Sequence, residues 1–253
     1  MAHAGQAREV KWHFHLSTNS VKSRGIVRAP GNLDFIAYLE HNTSIFLKYY
    51  AMTTSYKEKA QRLHETASAQ GGYFTTKQAA AAGYAASTHS YNIKAGNWVR
   101  EHRGIYRLAN YPNPDHPDLI TWSLWSSNRK GEPQGIYSHQ TALSIYDLSD
   151  LNPPKIHMTV PSGFRRNSAI PEVLILHRGD FKKHEVESMH GFKVARPLRA
   201  IADLLREETV ELDHMRQAVR QAFQRGILSK GEIEQSHLPE EMKKRILQFR
   251  EKV

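Results

Sequence analysis

The spacing of hydrophobic and polar positions changes character near residue 52. Before it, Asn, Ser, His and aromatic residues mix without a helical or strand period, and Arg28-Ala29-Pro30-Gly31-Asn32 marks a break. Only Leu33 to Leu39 has helical spacing there, through Leu33, Ile36 and Ala37. Residues 1–51 are expected to be a disordered tail or a mis-assigned extension, with the natural start at Met52; N-terminal mass analysis of the native protein decides the point. From Ser55 the periodicity is clear. Ser55-Tyr56-Lys57-Glu58 has capping-box spacing, Tyr56, Ala60, Leu63 and Ala67 recur on one helical face, and Gly71-Gly72 supplies the stop.

The next forty residues are densely punctuated. A strand start (Gly72-Tyr73-Phe74) leads to a helix from Thr76 to Ala82, opened by a second capping signal over Thr75-Thr76-Lys77-Gln78. A turn at Gly83 precedes a helix from Ser87 to Ala95, stopped by Gly96. Tyr84-Ala85-Ala86 offers that helix no side-chain cap, a deficit of roughly 1 kcal/mol. A hairpin closes the segment: Trp98-Val99-Arg100 and Ile105-Tyr106-Arg107-Leu108, folded over Glu101-His102-Arg103-Gly104. Two short helices joined by a tight turn, followed by a basic ribbon, outline a winged helix-turn-helix. Such a unit presents its second helix to the major groove while neighbouring cations hold phosphates.

Tyr111-Pro112-Asn113-Pro114-Asp115-His116-Pro117 reads as a linker, since its prolines preclude helix and central strand. Beyond it the pattern is α+β. Helices are expected over Asp118 to Ser126, Ser138 to Tyr146, Pro197 to Arg206, Glu211 to Arg225 and Glu240 to Glu251. Strands are expected at Gly135-Ile136-Tyr137, Lys155 to Val160 and Val173 to Leu176, with a hairpin over His184 to Ala195 turning at His190-Gly191. The fold class is therefore α+β: a tail (1–51), a winged helix-turn-helix (52–110), a linker (111–117) and a mixed α+β domain (118–253).

Composition narrows the function. With no cysteine, disulfides, thiolate catalysis and cysteine-ligated metal sites are excluded, which fits a cytoplasmic protein. No stretch approaches the ~18 to 20 apolar residues of a membrane span, and the first residues lack a signal-peptide core, so no membrane association is expected. A formal net charge of +10 biases the surface toward polyanions without proving a nucleic-acid partner.

Three strings carry a family resemblance. Phe74 to Gly83, then Ser87-Thr88 through Lys94-Ala95-Gly96, then His102-Arg103-Gly104-Ile105-Tyr106-Arg107-Leu108 resemble the N-terminal winged-helix domain of AbiEi antitoxins, from type IV (abortive-infection) toxin–antitoxin systems. Ser138 to Leu143, Lys155 to Pro161 and Arg196 to Leu204 resemble the family's C-terminal region in order and spacing. The resemblance covers roughly residues 55 to 206. It implies a non-enzymatic protein that represses its own promoter and counteracts a nucleotidyltransferase-like toxin, without a stable complex between the two.

The candidate DNA contacts follow from side-chain chemistry. Ser87, Thr88, Ser90 and Asn92 can donate to phosphates or base edges, Asn suits adenine, and His89 and Tyr91 either touch DNA or pack on the domain. Lys77, Lys94, Arg100, His102, Arg103 and Arg107 supply the charge. His139, Arg165, Arg166, Arg199 and Asp203 are the candidates for antitoxic function, with Arg165 and Arg166 on a Pro161-Ser162-Gly163 loop. Arg199 and Asp203 stand four apart on one helix and can equally form a simple ion pair. No phosphate-binding glycine loop, cofactor site or metal-ligand spacing is present; His177, His184 and His190 read as scattered surface residues. Two other readings stay open: a metal-dependent nuclease using Asp180, Lys182, Lys183 and Glu185, and a plain regulator whose second domain senses a ligand.

Overall fold

The computed structural model describes residues 55–250, together with two short strands, β1 (Val10–Lys11) and β2 (Ile26–Val27), which pair antiparallel. The expected helix at 33–39 and start at Met52 lie outside the described residues. The chain divides into two compact units, 1–59 and 60–253. Helix α1 covers 55–68, and all later elements lie in the second unit. The architecture is mixed α+β.

Five elements follow α1 in quick succession: β3 (Tyr73–Thr75), α2 (Thr76–Ala81), α3 (Ala86–Lys94), β4 (Trp98–His102) and β5 (Ile105–Leu108). The three strands form an antiparallel sheet in the order β3-β5-β4. The anticipated capping box is formed: Thr75 Oγ1 accepts from the Gln78 amide at 3.3 Å, and Gln78 Oε1 accepts from the Thr75 amide at 2.8 Å. Helix α3 begins without a side-chain cap, as its sequence implied. The hairpin turns more tightly than expected: Glu101 and His102 belong to β4, with a bulge between Arg100 and His102, leaving Arg103-Gly104 as the turn.

Alternation along these strands produces two cores. Phe74 and Tyr106 face α1, α2 and α3, where they join Leu63, Ala67, Ala79, Ala82, Tyr84 and Trp98. Trp98 sits at the centre, its ring 5.0 Å from both Phe74 and Tyr84 and edge-on to each. Tyr56, expected on the inward face of α1, is exposed. Tyr73 and Ile105 point the opposite way, into the larger core of the chain. The small sheet is thus a wall with both faces occupied.

The second face is covered by α4 (Pro117–Trp125), which contacts β3 and β5. The segment before it packs on the sheet side rather than standing clear. Gly72, at φ +89°, carries no Cβ where the Tyr111 ring lies, and Tyr111 Oη donates to the Ser68 carbonyl at 3.3 Å. The larger core is built on a five-stranded mixed sheet, ordered β8-β7-β6-β10-β9. Its strands are β6 (Ile136–Tyr137), β7 (Ile156–Val160), β8 (Leu174–Arg178), β9 (Val186–Met189) and β10 (Phe192–Ala195). Helices α5 (His139–Ile145) and α6 (Pro197–Glu207) pack together, and α5 lies against β7 and β10. Helices α7 (Leu212–Gln224), α8 (Lys230–Gln235) and α9 (Glu240–Arg250) complete the fold. Helix α8 has no counterpart in the periodicity reading, because it is six residues long with Gly231 inside it. Its cap was nevertheless written in the chain, since Ser229 Oγ accepts from the Glu232 amide at 3.1 Å.

Candidate functional site

Helix α3 divides its side chains cleanly. Ser87, Ser90, Tyr91 and Lys94, at i, i+3, i+4 and i+7, are all exposed, and Tyr91 is 69% accessible. Asn92, expected as a DNA contact, and His89, expected either to touch DNA or to pack on the domain, face the opposite way and are only 4% and 6% accessible. Burial takes both off the exposed face of the helix. His89 packs edge-on to Trp98 and Tyr106, at centroid distances of 5.3 and 5.9 Å. Asn92 Nδ2 donates to the Thr88 carbonyl at 2.9 Å, and its Oδ1 accepts from Asn97 Nδ2 at 3.2 Å. These two polar residues hold the helix to the hairpin. Thr88 is exposed, but its hydroxyl donates to the Ala85 carbonyl at 2.7 Å.

The cations sort in the same way. The side chains of Lys94, Arg100 and Arg103 are exposed and form no hydrogen bond or ion pair with another described residue. Arg107 is paired with Glu101 at 2.8 Å, and His102 is stacked edge-on against Trp122 at 5.1 Å. The Lys77 ammonium donates to the Arg129 carbonyl at 2.9 Å, which leaves its charge uncompensated. Lys77 and Arg103 line a shallow hollow with Arg166, whose guanidinium lies 5.0 Å over the Trp125 ring. Desolvation there lowers the Arg166 pKa from its ordinary value. Arg166 therefore sits with the hairpin cations, apart from His139, Arg199 and Asp203. Arg165 is exposed on the same loop.

The other three residues meet around the start of α5 and the face of α6. Asp203, 7% accessible, accepts from Arg199 Nε at 2.8 Å and from Arg206 at 2.8 Å. Arg199 also reaches Glu185 at 3.0 Å and lies 4.5 Å over the Phe181 ring. This is a clamp holding the 180–185 segment to α6 rather than an isolated surface pair. It borders a cavity of about 520 Å³ lined by Lys182, His184, Arg196, Arg199 and Arg206 among others. Glu185 also accepts from the Lys182 amide at 2.7 Å, so the suspected nuclease carboxylate is committed to a turn and to Arg199.

His139 belongs to a constellation that sequence spacing did not reveal. His139 opens α5, His157 lies on β7, His177 lies on β8 and Glu207 ends α6. The parallel register pairs Thr159 with His177, which puts His157, Thr159 and His177 on one face of the sheet. The His139 and His177 rings stack 3.7 Å apart at 15°. Glu207 Oε1 lies 3.2 Å from His139 Nε2 and 3.1 Å from His177 Nδ1. On the far side of each ring, His139 Nδ1 is 2.9 Å from Ser138 Oγ, and His177 Nε2 is 3.0 Å from His157 Nδ1. Ser138 Oγ continues to Thr159 Oγ1 at 2.7 Å. Burial, then the neighbouring His177, lowers the His139 pKa; the same causes, with His139, take His157 down to about 4. Reading His177 as a scattered surface residue was wrong. The apolar run of Val173 to Leu176 ended the strand too early, whereas β8 continues through His177 and Arg178.

Residues 61–109 match the family described as "Transcriptional regulator, AbiEi antitoxin", which supports the resemblance read from the sequence. No curated protein matches the chain. Among solved structures, the RV2827C protein from Mycobacterium tuberculosis is similar at 12% identity, over 75% of this chain and 71% of that one, with a TM-score of 0.36. No helix among the described residues is long and apolar enough to cross a membrane.

Proposed function

With an AbiEi-type transcriptional-regulator segment at residues 61–109 as the premise, we propose that the chain is an antitoxin that binds its own promoter and represses it. In this reading the α1–β5 head is a winged helix-turn-helix over 52–110, α3 enters the major groove and the β4–β5 hairpin is the wing. The observation that carries the proposal is the clean division of α3. One face is tied to the aromatic core by His89 and Asn92, and the other offers Ser87, Ser90, Tyr91 and Lys94 beside the unpaired Arg100 and Arg103. Hydroxyls and a phenol suit base edges and phosphate oxygens, and the three cations supply the sequence-independent hold. Lys77 and Arg166 extend the cationic track beyond the hairpin.

Binding to the DNA upstream of the chain's own gene, measured across salt concentrations, tests this. Wild type is expected to show a steep slope of log affinity on log salt. The double variant Lys94→Ala/Arg103→Ala is expected to lose up to about 1.8 of that slope, at roughly 0.9 per phosphate contact. An unchanged slope removes both residues from the interface, and salt-insensitive binding by wild type ends the proposal.

The antitoxic activity is proposed for the second half, at the Arg199–Asp203 clamp and the adjoining cavity, against a nucleotidyltransferase-like toxin and without stable sequestration. Co-expression tests it: the full chain restores growth in the presence of the toxin, and Arg199→Ala does not. Rescue that survives Arg199→Ala relocates the activity. Absence of rescue by wild type leaves a DNA-binding regulator alone.

A further inference from the structure

We propose that His139 Nε2, His177 Nδ1 and the Glu207 carboxylate bind one divalent transition-metal ion of the zinc class, with the fourth position left to water. Three observations support this. The ligand types suit the ion, since imidazole and carboxylate are its usual nitrogen and oxygen donors. The three donor atoms lie within 4.8 Å of one another. Tetrahedral zinc, with bonds of about 2.0 to 2.1 Å, separates neighbouring donors by about 3.3 Å. The contacts of Glu207 with the two ring nitrogens, at 3.2 and 3.1 Å, are close to that spacing, whereas the His139 and His177 rings, stacked 3.7 Å apart at 15°, must fan apart on loading for both in-plane lone pairs to meet one ion.

The surroundings are also built as a support for ligands. A metal-bound imidazole normally donates its other N–H to a fixed acceptor, which sets the tautomer and aims the ring. His139 Nδ1 has Ser138 Oγ at 2.9 Å, and His177 Nε2 has His157 Nδ1 at 3.0 Å. Ser138 is itself fully buried and held by Thr159. In the ligated form each ring carries its proton on the outer nitrogen, where Ser138 Oγ or His157 Nδ1 stands as acceptor. His139 holds φ +53°, a conformation a non-glycine residue rarely adopts. Glu207 is exposed and His177 half-buried, so one side of the cluster opens to solvent and gives both an entry path and room for water. Imidazole donors favour zinc, nickel or copper over magnesium and calcium.

The test uses the full chain, stripped with chelator, dialysed against zinc chloride and assayed for bound metal by mass spectrometry, with cobalt(II) as a spectroscopic substitute. The expected result is one zinc per chain, retained against a large excess of magnesium, and cobalt bands of four-coordinate intensity. Glu207→Gln changes an exposed residue and His177→Ala a half-buried one; each is expected to abolish the stoichiometric uptake while circular dichroism stays unchanged. Ser138→Ala keeps all three ligands and is expected to weaken affinity about 10- to 100-fold. His184→Ala and His190→Ala, at histidines outside the cluster, are expected to change nothing. Uptake by Glu207→Gln and His177→Ala equal to that of wild type overturns the proposal, as does the absence of tight uptake by wild type.

Discussion

His89 and His139 are buried to nearly the same degree, 6% and 4% accessible, yet they do opposite things. His89 lies among Trp98 and Tyr106 with its Nε2 unpartnered, so the ring serves as a flat, compact filler in an aromatic core. His139 has both nitrogens engaged, by Ser138 on one side and Glu207 on the other. A buried histidine is informative about chemistry only when its nitrogens are accounted for. Burial alone separates neither case from the other, and the residue type does not either.

That contrast can be broken experimentally, starting where the effect is largest. Trp98→Ala removes the ring on which His89, Phe74, Tyr84 and Tyr106 all pack, and is expected to destabilise the head by about 3–5 kcal/mol in chemical denaturation. A cost below 1 kcal/mol would mean that the aromatic core is not what holds α3. The paired variants His139→Phe and His89→Phe come next. With metal removed, the first takes one hydrogen bond each from Ser138 and Glu207, which keep Thr159 and His177, and is expected to cost about 0.5–1.5 kcal/mol, whereas the second buries one fewer unpaired polar atom and is expected to be neutral or stabilising. Equal costs would erase the distinction.

A third test uses acid. His157 is held neutral, at about 4 against an ordinary 6.5, facing His139, His177 and, further off, Glu207. The folded state thus binds fewer protons than the unfolded one between these values. Its contribution to stability is complete above pH 6.5, falls as pH drops through that window, and has been lost by about pH 4. Urea midpoints of the chelator-treated protein should fall over this interval, and less steeply in His157→Gln. Equal slopes would place the acid sensitivity elsewhere. The smallest expected effect separates two neighbouring arginines. Arg103 is unpaired and Arg107 is bonded to Glu101, so Arg103→Ala should flatten the salt dependence of DNA binding by about 0.9 and Arg107→Ala by less.

Much of the architecture was legible because local signals recur at fixed offsets. Thr75 and Gln78 announced α2, Gly191 the β9–β10 turn and Pro197 the first turn of α6, and each stands where its chemistry required. The inward face of α3 was not legible. Its buried positions are His89, Asn92 and the half-buried Ile93, so polar and apolar spacing gave the helix no consistent side. The histidine cluster was hidden for another reason. Its members come from α5, β7, β8 and α6, and only the parallel register of β7 with β8 and the packing of α5 on α6 bring them together. Asp203 was legible as Arg199's partner, four residues on, but its burial depended on packing across elements.

The sheet that carries Phe74 on one side and Tyr73 on the other has a mechanical consequence. Swinging the α3 head away from α4 would uncover Tyr73 and Ile105, at a cost of about 1.5–3 kcal/mol for each large side chain exposed. The head is therefore brazed to the body rather than tethered to it. If the head grips DNA as proposed, the body must follow it as one piece, and the reach between them cannot be adjusted by flexing.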